Sequence, residues 1–238
     1  MTVDQLYFRQ LRSGQDFARN DHMAYQMANF AYLIGDRNSG EAFVVDPAYA
    51  PTEIIELLEN DGMRLAAVIA THHHPDHLGG LLFNRQVAGV AELLGQVKVP
   101  IHAHHEELEW IERTTGVGPE NLVAHDSNDV VRVGDIEIRL LHTPGHTAGG
   151  QCLLVEQRLV AGDTLFLQGC GRTDLPGGDP SAMYGSLFGP ISLLPDDTVV
   201  YPGHLYSPEP SAPLGDIKRT NPVLAPRTLE QWLALFGG

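Results

Sequence analysis

Four imidazoles and a carboxylate occupy six consecutive positions in His72-His73-His74-Pro75-Asp76-His77, a density of metal-ligating groups that no packed core requires. Imidazole is a neutral nitrogen ligand near pH 7 and suits zinc, iron or copper. The apolar run Leu65-Ala66-Ala67-Val68-Ile69-Ala70 leads into these residues and Gly79-Gly80 leads out, which predicts the end of a buried strand. Three further groups stand beside glycine just after an apolar segment: His146 in Thr143-Pro144-Gly145-His146-Thr147, Asp163 in Ala161-Gly162-Asp163-Thr164, and His204 in Tyr201-Pro202-Gly203-His204. If the strands lie side by side, their loops emerge on one edge and these groups converge. They suffice for two divalent ions, with zinc the first expectation. His72, His74 and His146 would hold one, Asp76, His77 and His204 the other, and Asp163 would bridge. A hydroxide between the ions would attack a carbonyl at neutral pH, with Asp76 orienting it and shuttling its proton.

The elements that must position these groups follow from the apolar spacing. Residues 30–35 and 42–46 read as a hairpin, 52–60 as a helix, and the strand into His72 comes next. Residues 81–97 read as a helix despite Gly89 and Gly95, 99–102 as a strand and 106–115 as an amphipathic helix. Residues 130–133 and 136–141 flank Gly134-Asp135 as a second hairpin, and 151–155 with 159–161 as a third. A Gly/Pro-rich loop at 169–180, a helix at 181–188, a strand at 198–201 and a helix at 228–236 complete the chain. No linker divides it. The expectation is a single α/β domain over 1–238, sheets covered by outer helices, with a short helical tail at 223–238.

Composition narrows the function. With 43% hydrophobic residues among 238, the chain can bury a substantial core. Thirty acidic against fifteen basic residues give a formal charge of −15, a field that repels nucleic acid. No run approaches the roughly 20 apolar residues of a membrane span. Residues 1–12 lack the basic start and apolar run of a secretory signal, and two cysteines, Cys152 and Cys170, are too few for a disulfide scaffold, so a reducing cytoplasm is expected. The expected partner is a small-molecule substrate, with a homodimer as the default assembly.

The His72–His77 run together with His146, Asp163 and His204, in this order between about residues 29 and 221, resembles the metallo-β-lactamase-fold superfamily. The resemblance implies a four-layer αββα sandwich with its metal site at one edge. The ending Tyr201-Pro202-Gly203-His204-Leu205-Tyr206, with Lys218-Arg219-Thr220-Asn221-Pro222 downstream, is similar to glyoxalase II-like hydrolases, which open thioesters at a dinuclear centre. The segment Gly169-Cys170-Gly171-Arg172-Thr173-Asp174 resembles persulfide dioxygenases, whose single iron would map onto His74, His146 and Asp163. Glyoxalase II enzymes carry a C-terminal helical region that helps bind glutathione. Only residues 223–238 follow the last motif here, so glutathione recognition is not expected. The reading is a hydrolase of a small ester, thioester or lactone. Its alternatives are a mononuclear iron dioxygenase and a non-enzymatic metal-binding protein.

Other residues carry two readings each. Arg172 either forks onto a substrate carboxylate or pairs with Asp174 or Asp179. Tyr206 either positions substrate or packs its loop. Asp46 either orients a ligating histidine or shapes the turn before Pro47. Cys170 reads as a small buried residue rather than a reactive thiolate. His73 should point away from its neighbours in an extended segment. His102, His104, His105 and His125 lack the small-residue turn context and read as surface or helix-start residues.

Overall fold

The computed structural model describes residues 5–226 and 228–237; residues 1–4, 227 and 238 of the expected domain and tail lie outside the described residues. Strand β1 (Leu6–Arg12) is followed by α1 (His22–Met27) and pairs antiparallel with β2 (Phe30–Asp36), which turns back into β3 (Glu41–Val45). Helix α2 (Pro51–Asn60) then crosses over to β4 (Arg64–Ile69), parallel to β3. Phe30, Tyr32, Ile34, Phe43 and Val45 fall on one face, and Ala31, Leu33, Ala42 and Val44 on the other. With both faces apolar, these strands demand cover on both sides.

After β4 come α3 (Pro75–Leu78), the hairpin β5 (Gly80–Leu82) and β6 (Arg85–Val87), α4 (Val90–Leu94), β7 (Ile101–His104), α5 (Leu108–Thr115) and β8 (Leu122–His125). The first sheet runs β1-β2-β3-β4-β7-β8. The second is built from β9 (Val130–Val133), β10 (Ile136–His142), β11 (Gln151–Val155), β12 (Arg158–Gly162), β13 (Val199–Pro202) and β14 (Ala212–Pro213), in the order β14-β13-β12-β11-β10-β9. Helix α6 (Pro180–Ser186) precedes β13, and α7 (Leu214–Thr220) and α8 (Leu229–Phe236) follow β14.

The inner faces of the two sheets share one core, in which Tyr32, Ile34 and Ile69 meet Ile138, Leu153 and Val160. Outside the first sheet, Leu33 and Val68 pack with Ile54 of α2, Leu93 of α4 and Ile111 of α5. Outside the second, Leu159 and Val200 pack with Met183 of α6, Ile217 of α7 and Trp232 of α8. Helix, sheet, sheet, helix is the layer order expected. Trp232, fully buried, donates its indole N–H to the Val223 carbonyl at 3.0 Å, which pins α8 into this outer layer. No described helix is long and apolar enough to cross a membrane.

The three expected hairpins are present at 30–36/41–45, 130–133/136–142 and 151–155/158–162. The helix expected over 81–97 is not. That stretch begins as the β5–β6 hairpin, and only Val90–Leu94 is helical. Phe83 and Asn84 both take positive φ, 48° and 61°, which makes the two-residue turn that a twisted hairpin favours. Gly89 packs against the end of α3 so closely that a Cβ there would lie 2.0 Å from the Leu78 carbonyl oxygen, so the helix starts only after it. Strands β1 and β8 went unassigned from sequence, and β7 lies two residues beyond its expected span.

Candidate metal centre

All seven expected donors follow strand ends on one edge of the sandwich. His72 lies just past β4, and the single turn of α3, opened by Pro75 at its first position, carries Asp76 and His77. His146 lies between β10 and β11, Asp163 follows β12 directly, and His204 lies just past β13. The sheets are tied at this edge. Gln151 at the start of β11 donates its backbone N–H to Thr71 O at 3.0 Å and its side-chain amide to Ala70 O at 2.8 Å. Phe30 N donates to Gly203 O at 2.7 Å. Gly203 has no substitute here, because a Cβ would stand 2.2 Å from Asp163 Oδ1.

The donors form two lobes. In the first, His74 Nδ1 lies 3.1 Å from His72 Nε2 and 2.9 Å from His146 Nε2, with rings meeting at 73° to 85°. In the second, His77 Nε2 and His204 Nε2 are 3.2 Å apart, and Asp76 Oδ2 is 3.7 and 3.4 Å from them. Asp163 faces both lobes. Its Oδ1 is 3.4 Å from His77 Nε2, and its Oδ2 is 3.3 Å from His204 Nε2 and 3.6 Å from His146 Nε2.

The backs of the rings fix their tautomers. His146 Nδ1 lies 2.7 Å from the Arg172 carbonyl and His204 Nδ1 2.8 Å from the Met27 carbonyl. A carbonyl only accepts, so each Nδ1 carries a proton, and the nitrogen left to face an ion is Nε2, which points inward. His77 Nδ1 lies 2.9 Å from Asp46 Oδ2. Asp46 also accepts from Thr71 N at 2.8 Å and Thr71 Oγ1 at 2.6 Å, and it sits at φ 53°, a conformation few non-glycine residues adopt.

These residues fit metal ions. Nitrogen lone pairs about 3 Å apart on rings set nearly at right angles match the donor separations of a tetrahedral centre. Asp163 Oδ1 is buried without any hydrogen-bond partner, a costly arrangement unless a cation faces it. The ionisation of the metal-free groups follows their surroundings. Burial, then the neighbouring imidazoles, pushes His72 well below its ordinary value and His74 down to about 3. His77 goes the other way, up to about 10, because Asp163, Asp76 and Asp46 outweigh a burial that alone would lower it. His204 is likewise raised against its burial by Asp163. Asp76 and Asp163 are held below the carboxylate range, the adjacent imidazoles overcoming burial.

Above the lobes opens a cavity of about 560 Å³, with His74, Asp76, His146, Asp163 and His204 in its lining and walls that include Met27, Leu82, Phe83, Phe166, Leu175 and Tyr206. The Tyr206 ring stacks on His204 at 4.7 Å and 8°. Arg172 is the only lysine or arginine among the described lining residues, and its guanidinium is bound to Asp174 through two bonds of 2.7 Å. Of its two expected roles, the salt bridge is therefore the one formed, while its carbonyl orients His146. Cys170 is half-buried and its thiol is pushed up to about 11 by burial.

Some supporting residues carried no sequence signal. Asn29 is buried in the second lobe, donating Nδ2 to Asp76 Oδ2 at 3.1 Å, with its Oδ1 accepting from the Tyr49 hydroxyl at 3.3 Å. Glu107 is fully buried and accepts from His73 N at 2.9 Å and Gly149 N at 3.0 Å. It tethers the histidine run to the His146 loop. His73 turns outward to this carboxylate, 2.6 Å away, and stacks on Trp110. Of the histidines expected at the surface or a helix start, His105 is exposed at the head of a short 3-10 turn and His104 caps that turn, its Nδ1 accepting from Glu106 N at 3.4 Å though it is only 3% exposed, while His102 and His125 contact each other at 2.8 Å. The shift of β7 to Ile101–His104 draws these rings into the sheet edge.

Residues 25–204 match the metallo-beta-lactamase superfamily, and the chain belongs to it. It is 39% identical to a hydroxyacylglutathione hydrolase of Alkalilimnicola ehrlichii, over 75% of this chain and 62% of that protein. It is 30% identical to a probable polyketide biosynthesis zinc-dependent hydrolase, BaeB, of Bacillus velezensis, over 82% and 80% of the two chains. Its fold superposes on the crystal structure of ETHE1 from Myxococcus xanthus with a TM-score of 0.79 at 28% identity, covering 98% of this chain and 90% of that one.

Proposed function

We propose that this protein is a dinuclear metal-dependent hydrolase of a small thioester, ester or lactone with a largely apolar acyl part, its ions zinc. The observation that carries the reading is Asp163, a buried carboxylate set between two lobes of inward-facing lone pairs, with one oxygen unpartnered. The zinc-dependent hydrolase among the relatives supports the choice of metal. When bound, two such ions lower the pKa of water toward neutrality and polarise a carbonyl.

The protein's own residues do the rest. His72, His74 and His146 would hold one ion and Asp76, His77 and His204 the other, with Asp163 common to both. Asp76 presents a carboxylate beside the reacting carbonyl, held by the Asn29 amide, and accepts the proton released by attacking water. Tyr206 keeps its proton, because burial and the nearby Asp163 and Asp76 raise its pKa, and can donate a hydrogen bond to the substrate. The apolar wall of Met27, Leu82, Phe83 and Phe166 favours an uncharged acyl group. With Arg172 committed to Asp174, the described lining residues offer no free guanidinium for the carboxylates of a glutathione moiety.

The test joins elemental analysis of protein purified without chelator to initial rates on a panel of thioesters, esters and lactones. About two zinc ions per chain and turnover on the panel are expected, as a dinuclear hydrolytic site requires. Asp76→Ala should abolish turnover while leaving the circular dichroism spectrum unchanged; a folded variant with full activity and full metal content rejects the assignment. About one iron per chain, with dioxygen consumed on glutathione persulfide, would replace it with the dioxygenase chemistry of a 2-His-1-carboxylate site.

A further inference from the structure

A second group of imidazoles and carboxylates stands apart from the cavity, at the ends of β7 and β10. β7 belongs to the first sheet and ends at His104; β10 belongs to the second and ends at His142. One ligand atom from each of His104, Glu106 and His142 lies within 4.8 Å of the others, and His104, His105 and Asp126 form an overlapping group on the same criterion. None of these five residues lines the cavity over the two lobes. The His104 and His142 rings are parallel, 3.7 Å apart and 9° from coplanar. Glu106 Oε2 lies 3.6 Å from His142 Nε2, and Asp126 Oδ1 lies 2.9 Å from His105 Nδ1.

The charges here are unbalanced. Among the described residues no lysine or arginine pairs with Glu106 or Asp126; their ion-pair partners are histidines. His104 is neutral at pH 7, since burial, with His142 and His105 adding to it, pushes its pKa down to about 4. A dication would balance these carboxylates while using imidazole lone pairs as donors. Two histidines and a carboxylate with open positions suit zinc, nickel or copper, and nitrogen donors disfavour magnesium and calcium.

We propose that His104, Glu106 and His142 bind a further divalent transition-metal ion, distinct from the pair at Asp163, that clips the first sheet to the second, with His105 and Asp126 as additional donors. Stacked parallel rings direct their in-plane lone pairs side by side rather than at one point, so one ring must turn for both to share an ion. His142, its side chain 23% exposed while His104 is buried, is the ring that turns, giving up the bond that its Nε2 donates to Ala148 O at 2.9 Å. An ion held only by the folded chain stabilises it, so added metal should raise the melting temperature in proportion to occupancy.

The experiment is equilibrium dialysis of the full-length zinc-loaded protein against increasing free zinc, with metal content and melting temperature read together for the wild type, His142→Ala and Glu106→Gln. The wild type should take up one ion per chain more than either variant and melt higher as it does, while turnover on the best panel substrate stays equal in all three. Glu106→Gln lies on an exposed side chain, so it reports even if His142→Ala disturbs the edge. Equal zinc content and equal zinc-dependent melting shifts in wild type and Glu106→Gln overturn the proposal.

Discussion

His72, His74 and His146 meet edge to edge without a carboxylate of their own, whereas His77 and His204 sit among Asp76, Asp163 and, behind His77, Asp46. The same side chain therefore has opposite character a few ångströms apart. Burial and mutual repulsion strip protons from His72 and His74, and carboxylates hold protons on His77 and His204. Ligand type alone does not make a metal site; the charge gathered around each ligand decides how it waits for the ion. His72 and His74 would meet a cation as neutral donors, whereas His77 and His204 would meet it amid negative charge.

Asp163 is where the contrast should break most completely. Asp163→Asn keeps the volume and removes the charge common to both lobes, so turnover should fall by about 10²-fold or more, the scale of losing a main electrostatic element. Metal content should fall in step; an unchanged metal ratio would mean that the lobes do not share this carboxylate. Asp46→Asn bears directly on the second lobe and reaches His72 of the first only through Thr71. It weakens the hold on His77, and zinc affinity there should drop roughly 10- to 100-fold while the three-histidine lobe keeps its ion, as competition with a graded chelator would show.

Glu107→Gln tests the support behind both. The buried carboxylate loses its charge toward His73 and weakens its tether to Gly149, so denaturant unfolding should show a loss of about 1–3 kcal/mol, with turnover affected less than by Asp46→Asn. Arg172→Ala should do least. Its guanidinium is exposed and already paired with Asp174, so KM should change by less than about fivefold, the limit set by a surface pair worth at most ~1 kcal/mol. A larger rise in KM, confined to substrates carrying a carboxylate, would restore Arg172 as a substrate clamp.

The legible parts of this molecule are those with local physical causes. Apolar runs on either side of turn-rich segments mark the hairpins, and a polar cluster after an apolar run marks the edge where the donors gather. Residues 81–97 differ from the helix their apolar spacing predicts for two reasons: Gly89 is pressed against Leu78, a contact only the fold makes, and Phe83 and Asn84 take the positive φ of a hairpin turn. Asn29, Glu107 and the Arg172 carbonyl were invisible for a related reason. A lone amide, a helix-start acid and a backbone oxygen carry no pattern; they matter only because of what the fold brings within 3 Å of them.

The inventory of donors and their place after strand ends were determined by sequence alone, because ligand chemistry belongs to residue type and the end of an apolar run beside glycine or proline sets where a buried strand stops. The tertiary structure decided how those donors divide into two lobes, which carboxylate stands between them, and that the guanidinium of Arg172 turns to Asp174 while its carbonyl holds His146. Those outcomes depend on Coulombic and hydrogen-bond distances between segments as far apart in the chain as Asn29 and His204, and such distances exist only once the two sheets have closed on their shared core.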